Sequence, residues 1–153
     1  MVRIVHAPLI CSTGQLCDGA ERVATSVQPF LMFEGRAEEA MSFYLSLFPG
    51  SELIEIVRYG PGQPGPEGSV MKAVFSLSGQ KIMCTDSFVK HAFTFTPAFS
   101  LFVGCESEDE IVRLSTALSD DGAVLMPLEN YGFSRRFAWV NDRYGVSWQL
   151  NLA

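Results

Sequence analysis

The chain has 153 residues, of which 48% are hydrophobic and 12 are Phe, enough apolar material for one domain with a packed interior or two half-domains that share one. The formal net charge is -6 at pH 7 and the sequence holds no basic stripe, which excludes nucleic acid as a partner. The longest uncharged apolar run is too short to cross a bilayer, so we expect no membrane-spanning segment.

Residues 1–26 are predicted to form an irregular arm outside the folded domain, which we place at 27–153. The apolar start of the arm is interrupted by proline, whereas a signal peptide needs a longer apolar centre. Cys11 and Cys17 have five residues between them and only His6 nearby, a spacing that does not match a zinc site. We therefore expect neither a leader nor a metal centre in the arm.

The two cysteines of the domain, Cys84 and Cys105, lie in apolar, strand-like contexts. Free cysteines in such contexts behave as small buried hydrophobes, and unpaired thiols are typical of a reducing compartment. We therefore expect two buried thiols in a cytoplasmic protein.

Residues of about 27–86 follow the order β-α-β-β-β and form a first module. The predicted elements are a strand over 27–33, a helix over 36–48, and strands over 51–58, 70–77 and 80–85. The helix shows apolar side chains at a helical period and ends before Pro49-Gly50. Ser78-Gly79 is predicted to form a hairpin turn, and the Gly- and Pro-rich run 60–68 a loop.

The same order returns over about 97–152 and defines a second module. Its predicted elements are a strand over 98–103, a helix from the N-cap Ser107 to about 119, and strands over 123–127, 134–140 and 146–152. Glu110 stands three residues after Ser107, which is the spacing of a capping box. Tyr59-Gly60 follows the second predicted strand of the first module, and Tyr131-Gly132 follows the second predicted strand of the second module. Such repeated features indicate a duplicated half-domain.

The chain ends with a tight turn and a strand. Asp142 is expected to cap the turn with its own carboxylate, and Gly145 to supply a positive φ. Beyond the turn the residues alternate between two faces of the strand, Val146, Trp148 and Leu150 on one and Ser147, Gln149 and Asn151 on the other. Gln149 therefore lies on the polar face, where it either lines a site or meets water.

Several stretches resemble one protein family. They are Pro29-Phe30-Leu31-Met32-Phe33, Ala37-Glu38-Glu39-Ala40-Met41-Ser42-Phe43-Tyr44, Phe48-Pro49-Gly50, Gly68-Ser69-Val70, Ser100-Leu101-Phe102-Val103 and Asp142-Arg143-Tyr144-Gly145-Val146-Ser147-Trp148-Gln149. With the two βαβββ modules, they resemble the PhnB-like branch of the vicinal oxygen chelate superfamily, which includes glyoxalase I, bleomycin-resistance proteins and extradiol dioxygenases. The resemblance, over about 27–152, implies an α+β fold in which the modules form curved, half-open sheets around a cavity, and it implies a homodimer.

In metal-using members of this superfamily, four side chains hold a divalent ion, one from the first and one from the last strand of each module. The corresponding positions in this sequence are Gln28, Met83, Pro97 or Ala98, and Gln149. Zinc binds His, Cys or carboxylate ligands and hard cations bind carboxylates. We therefore expect no ordinary metal site and no cofactor, with Cys84 and Asp86 as candidates out of register.

PhnB-like proteins often carry a demethylubiquinone methyltransferase name, which the residues of this chain do not support. Binding of S-adenosylmethionine in the common way needs a Gly-rich turn between a strand and a helix of a parallel sheet. The run 60–68 is interleaved with Pro and stands between predicted strands. We expect either a lid over a cavity or a plain exposed loop there.

Seven residues are candidates for a ligand site: Gln28, Asp86, His91, Arg135, Trp139, Trp148 and Gln149. The two Gln side chains face either a cavity or water, and His91 is either a ligand or a solvated residue of the linker between the modules. The two Trp side chains either fill the core or stack on a ligand, and their indole N–H groups need partners in both cases.

For two further groups of side chains, the sequence is compatible with two roles each. Clean alternation over 134–140 would turn Arg135 or Arg136 inward, where it either holds an anionic ligand or pairs with Glu129 or Asp142; we favour the ion pair. A Phe cluster straddles the junction between the modules, and we favour the core over a cavity wall for its members, Phe93, Phe95, Phe99 and Phe102.

No Ser-His-Asp or Cys-His arrangement and no recurring carboxylate pair is apparent in the sequence, so no catalytic residue is assigned. The favoured hypothesis is a protein that binds a small hydrophobic or aromatic molecule without a metal, as the bleomycin-resistance members do. The alternative is a metal-dependent lyase, isomerase or dioxygenase with the rearranged ligand set Gln28, Asp86, His91 and Gln149. A domain that acts through protein contacts alone would be marked by an exposed apolar face.

Overall fold

The structure is a computed structural model and describes residues 26–153. The predictions for residues 1–25, including those for Cys11 and Cys17, lie outside the described residues. Within the described part of the chain, no helix is long and apolar enough to cross a membrane.

Residues 26–153 form two βαβββ modules, as the sequence predicts. The first contains β1 (Phe30–Phe33), α1 (Ala37–Leu47), β2 (Glu52–Arg58), β3 (Val70–Leu77) and β4 (Gln80–Asp86). The second contains β5 (Leu101–Gly104), α2 (Glu108–Ser119), β6 (Ala123–Glu129), β7 (Arg136–Asn141) and β8 (Ser147–Leu152). The predicted α+β fold with duplicated modules is therefore confirmed.

Each module forms its own four-stranded mixed sheet. The strand orders are β1-β4-β3-β2 and β5-β8-β7-β6. β1 pairs in parallel with β4 and β5 with β8, whereas the other neighbours are antiparallel. β1 and β5 are thus short edge strands at equivalent places, and each has one edge that pairs with no other described strand.

The first strand of each module begins later than predicted. β1 starts at residue 30 instead of 27, and β5 at residue 101 instead of 98. Pro29 has no N–H to donate to a ladder. Before β5, the N–H of Phe99 donates to the carbonyl of Thr96 at 3.3 Å, so the chain still turns where the apolar pattern predicted extension.

Helix α1 packs on the first sheet through one apolar face, formed by Ala37, Ala40, Met41, Tyr44 and Leu47. Its N-cap residue, Arg36, provides no side-chain hydrogen bond. The cap comes instead from Asp86 at the end of β4, whose Oδ1 accepts hydrogen bonds from Gly35 N at 2.9 Å and Ala37 N at 2.8 Å. A carboxylate at this place also meets the positive end of the helix dipole, so Asp86 holds the helix against its sheet.

Helix α2 begins at the predicted cap. Ser107 Oγ accepts a hydrogen bond from Glu110 N at 3.2 Å, and Glu110 Oε2 accepts one from Glu106 N at 2.9 Å. The return bond thus reaches one residue before the N-cap, unlike the usual capping box. The buried face of α2 carries Ile111, Leu114 and Leu118.

The two modules meet around the turn between β7 and β8. Asp142 Oδ1 accepts hydrogen bonds from two backbone N–H groups of the turn at 2.8 and 3.0 Å, and Gly145 has a φ of 89°, which confirms the predicted turn. Asp142 Oδ2 accepts hydrogen bonds from Tyr44 Oη at 2.7 Å and Trp148 Nε1 at 2.8 Å. This buried carboxylate therefore ties α1 of the first module to β8 of the second.

Candidate ligand-binding site

A cavity of about 390 Å³ lies between the two modules, and we refer to it as the intermodule cavity. The first module contributes Pro29, Phe48, Leu77 and Ile82, and the second contributes residues 99–104 and Trp148. Its volume is within the range of about 300–1,000 Å³ that small-molecule sites occupy. Ser100 supplies one of its few polar side chains.

The intermodule cavity adjoins the face of the second sheet that points away from α2. On this face, Gln149 of β8 stands in register with Trp139 of β7 on one side and Phe102 of β5 on the other. Phe102 is 63% exposed, whereas Trp139 and Gln149 are half-buried. With Ser100 and Ser147 these side chains form what we name the Gln149 face, and Ser100 and Phe102 belong to both the face and the cavity.

A chain of hydrogen bonds links the polar atoms of the Gln149 face. Trp139 Nε1 donates to Ser147 Oγ at 2.8 Å, and Ser147 Oγ lies 2.8 Å from Ser100 Oγ. Gln149 Nε2 donates to Ser100 Oγ at 3.3 Å, and Ser100 Oγ donates to the carbonyl of Pro97 at 3.4 Å. Every member of this chain is neutral, so the face offers orientation to a ligand without a fixed charge.

Among residues 26–153, no general base is hydrogen-bonded to a hydroxyl of the Gln149 face. A serine nucleophile needs an adjacent general base, and neither hydroxyl of the chain has a hydrogen bond to an imidazole or a carboxylate from the residues between 26 and 153. Aromatic side chains beside a neutral amide are instead suited to an apolar molecule with one polar atom.

A second cavity, of about 550 Å³, lies at the carboxyl end of β1, and we name it the linker cavity. Its walls come from β1, from the linker between the modules and from the turn before β8, with Phe30, Met32, Glu34, His91, Phe93 and Tyr144 among the lining residues. Two guanidinium groups at its edge are paired with carboxylates: Arg36 with Glu39 at 2.8 Å and Arg143 with Asp120 at 2.5 Å.

His91 lies in this linker cavity and not on the Gln149 face. Its Nε2 is 2.9 Å from Ser87 Oγ, its ring stacks on Phe93 with 4.7 Å between centroids, and its backbone N–H donates to Glu34 Oε1 at 3.0 Å. The half-buried imidazole of His91 therefore has one hydrogen-bond partner and one ring contact within the linker.

The inward arginine and its partner differ from the prediction. Arg136 Nε lies 2.9 Å from Glu108 Oε1 at the start of α2, because the register of β7 turns this side chain toward the helix. The predicted pair with Glu129 or Asp142 is therefore wrong. Arg135 is exposed in the loop before β7.

Three other candidates are separate from the Gln149 face. Asp86 is buried and uses its oxygen atoms to cap α1, with Val70 N a further 3.4 Å from Oδ2. Trp148 is 1% exposed, and its indole donates to Asp142, so it belongs to the core with one surface on the intermodule cavity. Gln28 is half-buried and precedes β1 by two residues.

The Phe cluster lies mainly outside the core, contrary to the prediction. Phe93, Phe99 and Phe102 are 64%, 59% and 63% exposed, and only Phe95 packs against core residues. Phe93 and Phe95 line the linker cavity, and Phe99 and Phe102 line the intermodule cavity. The late start of β5 explains this outcome, since the turn before it carries Phe99 to the surface.

The residues at the superfamily's metal positions do not fit a metal ion. Gln28 and Gln149 are neutral amides, Met83 is a thioether, and Pro97 and Ala98 lie within the turn before β5 and have no side-chain atom that could bind a metal. Among residues 26–153, no group of three or more His, Cys, Asp and Glu side chains is arranged to hold a metal. The rearranged set is also dispersed, because Asp86 caps a helix and His91 lies in the linker cavity.

Burial shifts the titration of several side chains. Desolvation raises the pKa of Asp142 above its ordinary value, against the opposing effect of its hydrogen bonds from Tyr44 and Trp148. Desolvation likewise raises the pKa of Cys84 to about 12 and that of Cys105 to about 11. Both thiols are therefore protonated at neutral pH and are poor nucleophiles.

Sequence reasoning did not assign Ser100 or Phe102 to the ligand site. Alternation in β8 did place Ser147 on the face of Gln149. Ser100 and Phe102 stand at the start of β5, and their place beside Gln149 depends on the parallel pairing of β5 with β8. That pairing joins residues almost fifty positions apart, and no local pattern in the sequence encodes it.

The fold shows to which superfamily the protein belongs. Two βαβββ modules that each form a mixed four-stranded sheet are the architecture of the vicinal oxygen chelate superfamily. The fosfomycin resistance protein FosX from Listeria monocytogenes shares this fold, with 12% identity and a TM-score of 0.55 over 86% of this chain and 94% of that chain.

Within this superfamily the chain belongs to the PhnB-like family. Residues 25–151 match the family model described as 3-demethylubiquinone-9 3-methyltransferase. A PhnB protein of that description from Bacillus cereus is 59% identical, with 83% of this chain and 98% of that chain covered and a TM-score of 0.81. Protein YjdN from Escherichia coli (strain K12) is 22% identical over 140 residues, which are 82% of this chain and 94% of YjdN.

The family description names a methyltransferase, but the Gly-rich run of this chain is not a cofactor turn. Residues 60–68 connect β2 to β3, which are antiparallel neighbours, and no helix begins after the run. The turn that the common S-adenosylmethionine site needs, between a strand and a helix of a parallel sheet, is therefore not formed by these residues.

Proposed function

We propose that this protein binds a small hydrophobic or aromatic molecule at the intermodule cavity and the Gln149 face, without a metal ion. The observation that carries the proposal is the exposed Phe102 beside a half-buried Trp139, with the neutral Gln149 between them. Exposed aromatic side chains at the rim of a cavity favour contact with an apolar ligand.

Fluorescence titration tests the binding, because Trp139 lies on the proposed contact surface. We expect saturable quenching by naphthalene-sized aromatic probes, with a dissociation constant that rises about tenfold in Phe102→Ala as the buried aromatic contact is lost. Phe133→Ala is the matched control, since Phe133 is 65% exposed and lies in neither cavity. Equal affinities for both variants and the wild type would contradict the proposal.

Metal analysis tests the other half of the proposal. Protein purified without a histidine tag is expected to contain less than stoichiometric zinc, iron and manganese, and chelation is expected to leave probe binding unchanged. One bound metal ion per chain, with binding lost on its removal, would favour a metal-dependent enzyme instead.

We also propose a homodimer. Phe30 and Phe102 lie on the faces of the two sheets that point away from the helices, and they are 56% and 63% exposed. A second copy that covers the open edges of β1 and β5 and lies across from these faces would remove apolar area from water, and the Gln149 face would then line a cleft between the copies that stays open to a ligand. Light scattering after size exclusion should give twice the chain mass of 16.8 kDa; a single chain mass at all concentrations would contradict the dimer.

We further propose a cytoplasmic location, which two protonated, buried thiols would suit. Cell fractionation of the producing organism with an antibody against the chain is the test. Recovery in a secreted or membrane fraction would refute it.

A further inference from the structure

We propose that Gln149 presents its amide oxygen to the ligand, and that the ligand is therefore an aromatic molecule with a neutral hydrogen-bond donor, such as a phenolic hydroxyl. This inference rests on the proposed function and names the ligand class of the same site. It follows from the direction of the hydrogen-bond chain beneath Gln149.

The chain begins with a group that can only donate. An indole N–H has no acceptor capacity, so Ser147 Oγ accepts from Trp139 Nε1 at 2.8 Å. Ser147 is 2% exposed, and its own proton needs a partner within the protein. Ser100 Oγ, 2.8 Å away, is that partner.

The chain ends with a group that can only accept. The carbonyl of Pro97 has no proton to give, and Ser100 Oγ donates to it at 3.4 Å. The hydroxyl protons of Ser147 and Ser100 are then both used. With its proton directed to Pro97, Ser100 Oγ accepts from Gln149 Nε2 at 3.3 Å, and in this arrangement the amide nitrogen faces Ser100.

With the nitrogen held by Ser100, the amide oxygen of Gln149 points away from the chain. No residue between 26 and 153 donates a hydrogen bond to this oxygen. An amide turned the other way would set its oxygen against the oxygen of Ser100, whose proton is committed to Pro97. The amide oxygen is therefore a free hydrogen-bond acceptor, and a bound molecule that pairs with it must donate a hydrogen bond.

The neighbours of this oxygen favour a neutral aromatic donor over an ammonium group. Phe102 and Trp139 flank Gln149 across the sheet, and Met126 stands beyond Trp139 in register. A cation transferred to such a surface needs a carboxylate to offset its desolvation. Gln149 and Trp139 have none as a partner in register, so a phenol or an N–H heterocycle is the fitting class.

The test uses probes with one ring system and different polar atoms: 2-naphthol, which donates, and 2-methoxynaphthalene, which only accepts. The wild type should bind 2-naphthol about tenfold more tightly, the value of one satisfied hydrogen bond to a half-buried acceptor. Gln149→Leu should bring the two affinities together while 2-methoxynaphthalene still binds. Gln63→Leu, at an exposed residue of the loop 60–68 that lines neither cavity, should keep the tenfold difference.

Trp139→Phe provides an independent arm, because it keeps a ring and removes the donor that sets the direction of the chain. The preference for 2-naphthol should fall in this variant. Equal affinities in the wild type, or tighter binding of 2-methoxynaphthalene, would overturn the inference and leave the proposed function standing. Binding of neither probe would refute both.

A measurement without ligand checks the orientation directly. In the wild-type protein, the side-chain amide protons of Gln149, identified by their loss in Gln149→Leu, should show nuclear Overhauser contacts to the β protons of Ser100. Absence of these contacts in a folded protein would mean that the oxygen faces Ser100, and it would overturn the inference whatever the probes show.

Discussion

Removal of one hydroxyl group tests how the two modules are joined. Tyr44 is fully buried, and its Oη donates to Asp142 Oδ2 across the module boundary at 2.7 Å. Tyr44→Phe keeps the ring, which packs 5.1 Å from the indole of Trp148, and deletes only the donor. Asp142 Oδ2 is then left with a single donor, Trp148 Nε1.

The expected loss follows from the type of bond that is removed. A hydrogen bond to a charged group contributes about 1.5–3 kcal/mol, and a buried acceptor that loses a partner keeps its desolvation cost. We therefore expect Tyr44→Phe to lower the free energy of unfolding by about 2 kcal/mol. For a chain of this length that is a fall of about 4–8 °C in the melting temperature.

Urea denaturation at pH 7, followed by fluorescence and circular dichroism, measures this loss. Tyr131→Phe is the matched control, because Tyr131 Oη donates to Pro127 O at 3.0 Å in an exposed loop; its change should stay within about 0.5 kcal/mol. Equal changes for the two variants would refute the reasoning that the Asp142 carboxylate holds the modules together.

Three further predictions concern titration, capping and thiol reactivity. Burial raises the pKa of Asp142 above 3.8, so its contribution to stability is fully present below that value and is lost as pH rises through the folded pKa. Because Glu38 and Glu39 have lowered pKa values and contribute in the opposite direction, the test is the difference in the free energy of unfolding between the wild type and Asp142→Asn; this difference should fall from about pH 3.5 to 7, and a difference that does not change with pH would contradict the prediction. Asp86→Ala should cost about 1–2 kcal/mol in urea denaturation by removing the cap of α1, whereas Glu67→Ala, at an exposed residue of the loop 60–68, should cost much less. In a variant with Cys11→Ser and Cys17→Ser, the thiols of Cys84 and Cys105 should react with a disulfide reagent at pH 8 only at the rate of unfolding, since their pKa values are about 12 and 11; rapid labelling of this variant in its native state would show that one of them is accessible.

Sequence patterns predicted best the elements whose bounds are determined by residues nearby in the chain. The bounds of β3, Val70–Leu77, match the prediction at both ends, because a strict apolar run ends at a two-residue turn in which Ser78 and Gly79 have φ values of 48° and 86°. The cap of α2 is local as well. In each case the residues that specify the structure are within a few positions of it in the chain.

The features that sequence patterns missed depend on contacts between distant residues. Asp86 caps a helix that begins 49 positions earlier. Because no local pattern indicates this cap, its carboxylate was predicted to be a candidate ligand. Arg136 pairs with Glu108 across the second module. The proposed ligand site also depends on distant residues. Gln149 and Trp139 were both candidates, but they lie beside Ser100 and Phe102 only because β5 pairs with β8.

The two stretches that most resemble the family, 37–44 and 142–149, meet at one place in the structure. Tyr44 comes from the first and Asp142 and Trp148 from the second, and their hydrogen bonds join the modules. The residues of these stretches that meet here therefore join the two modules. Ser147 and Gln149 of the second stretch point away from this joint, to the other face of β8. The neighbours of Gln149 across the sheet are Trp139 and Phe102, and Phe102 lies with Ser100 in a further stretch that resembles the family, so the proposed ligand face is built in part from residues that also carry the resemblance.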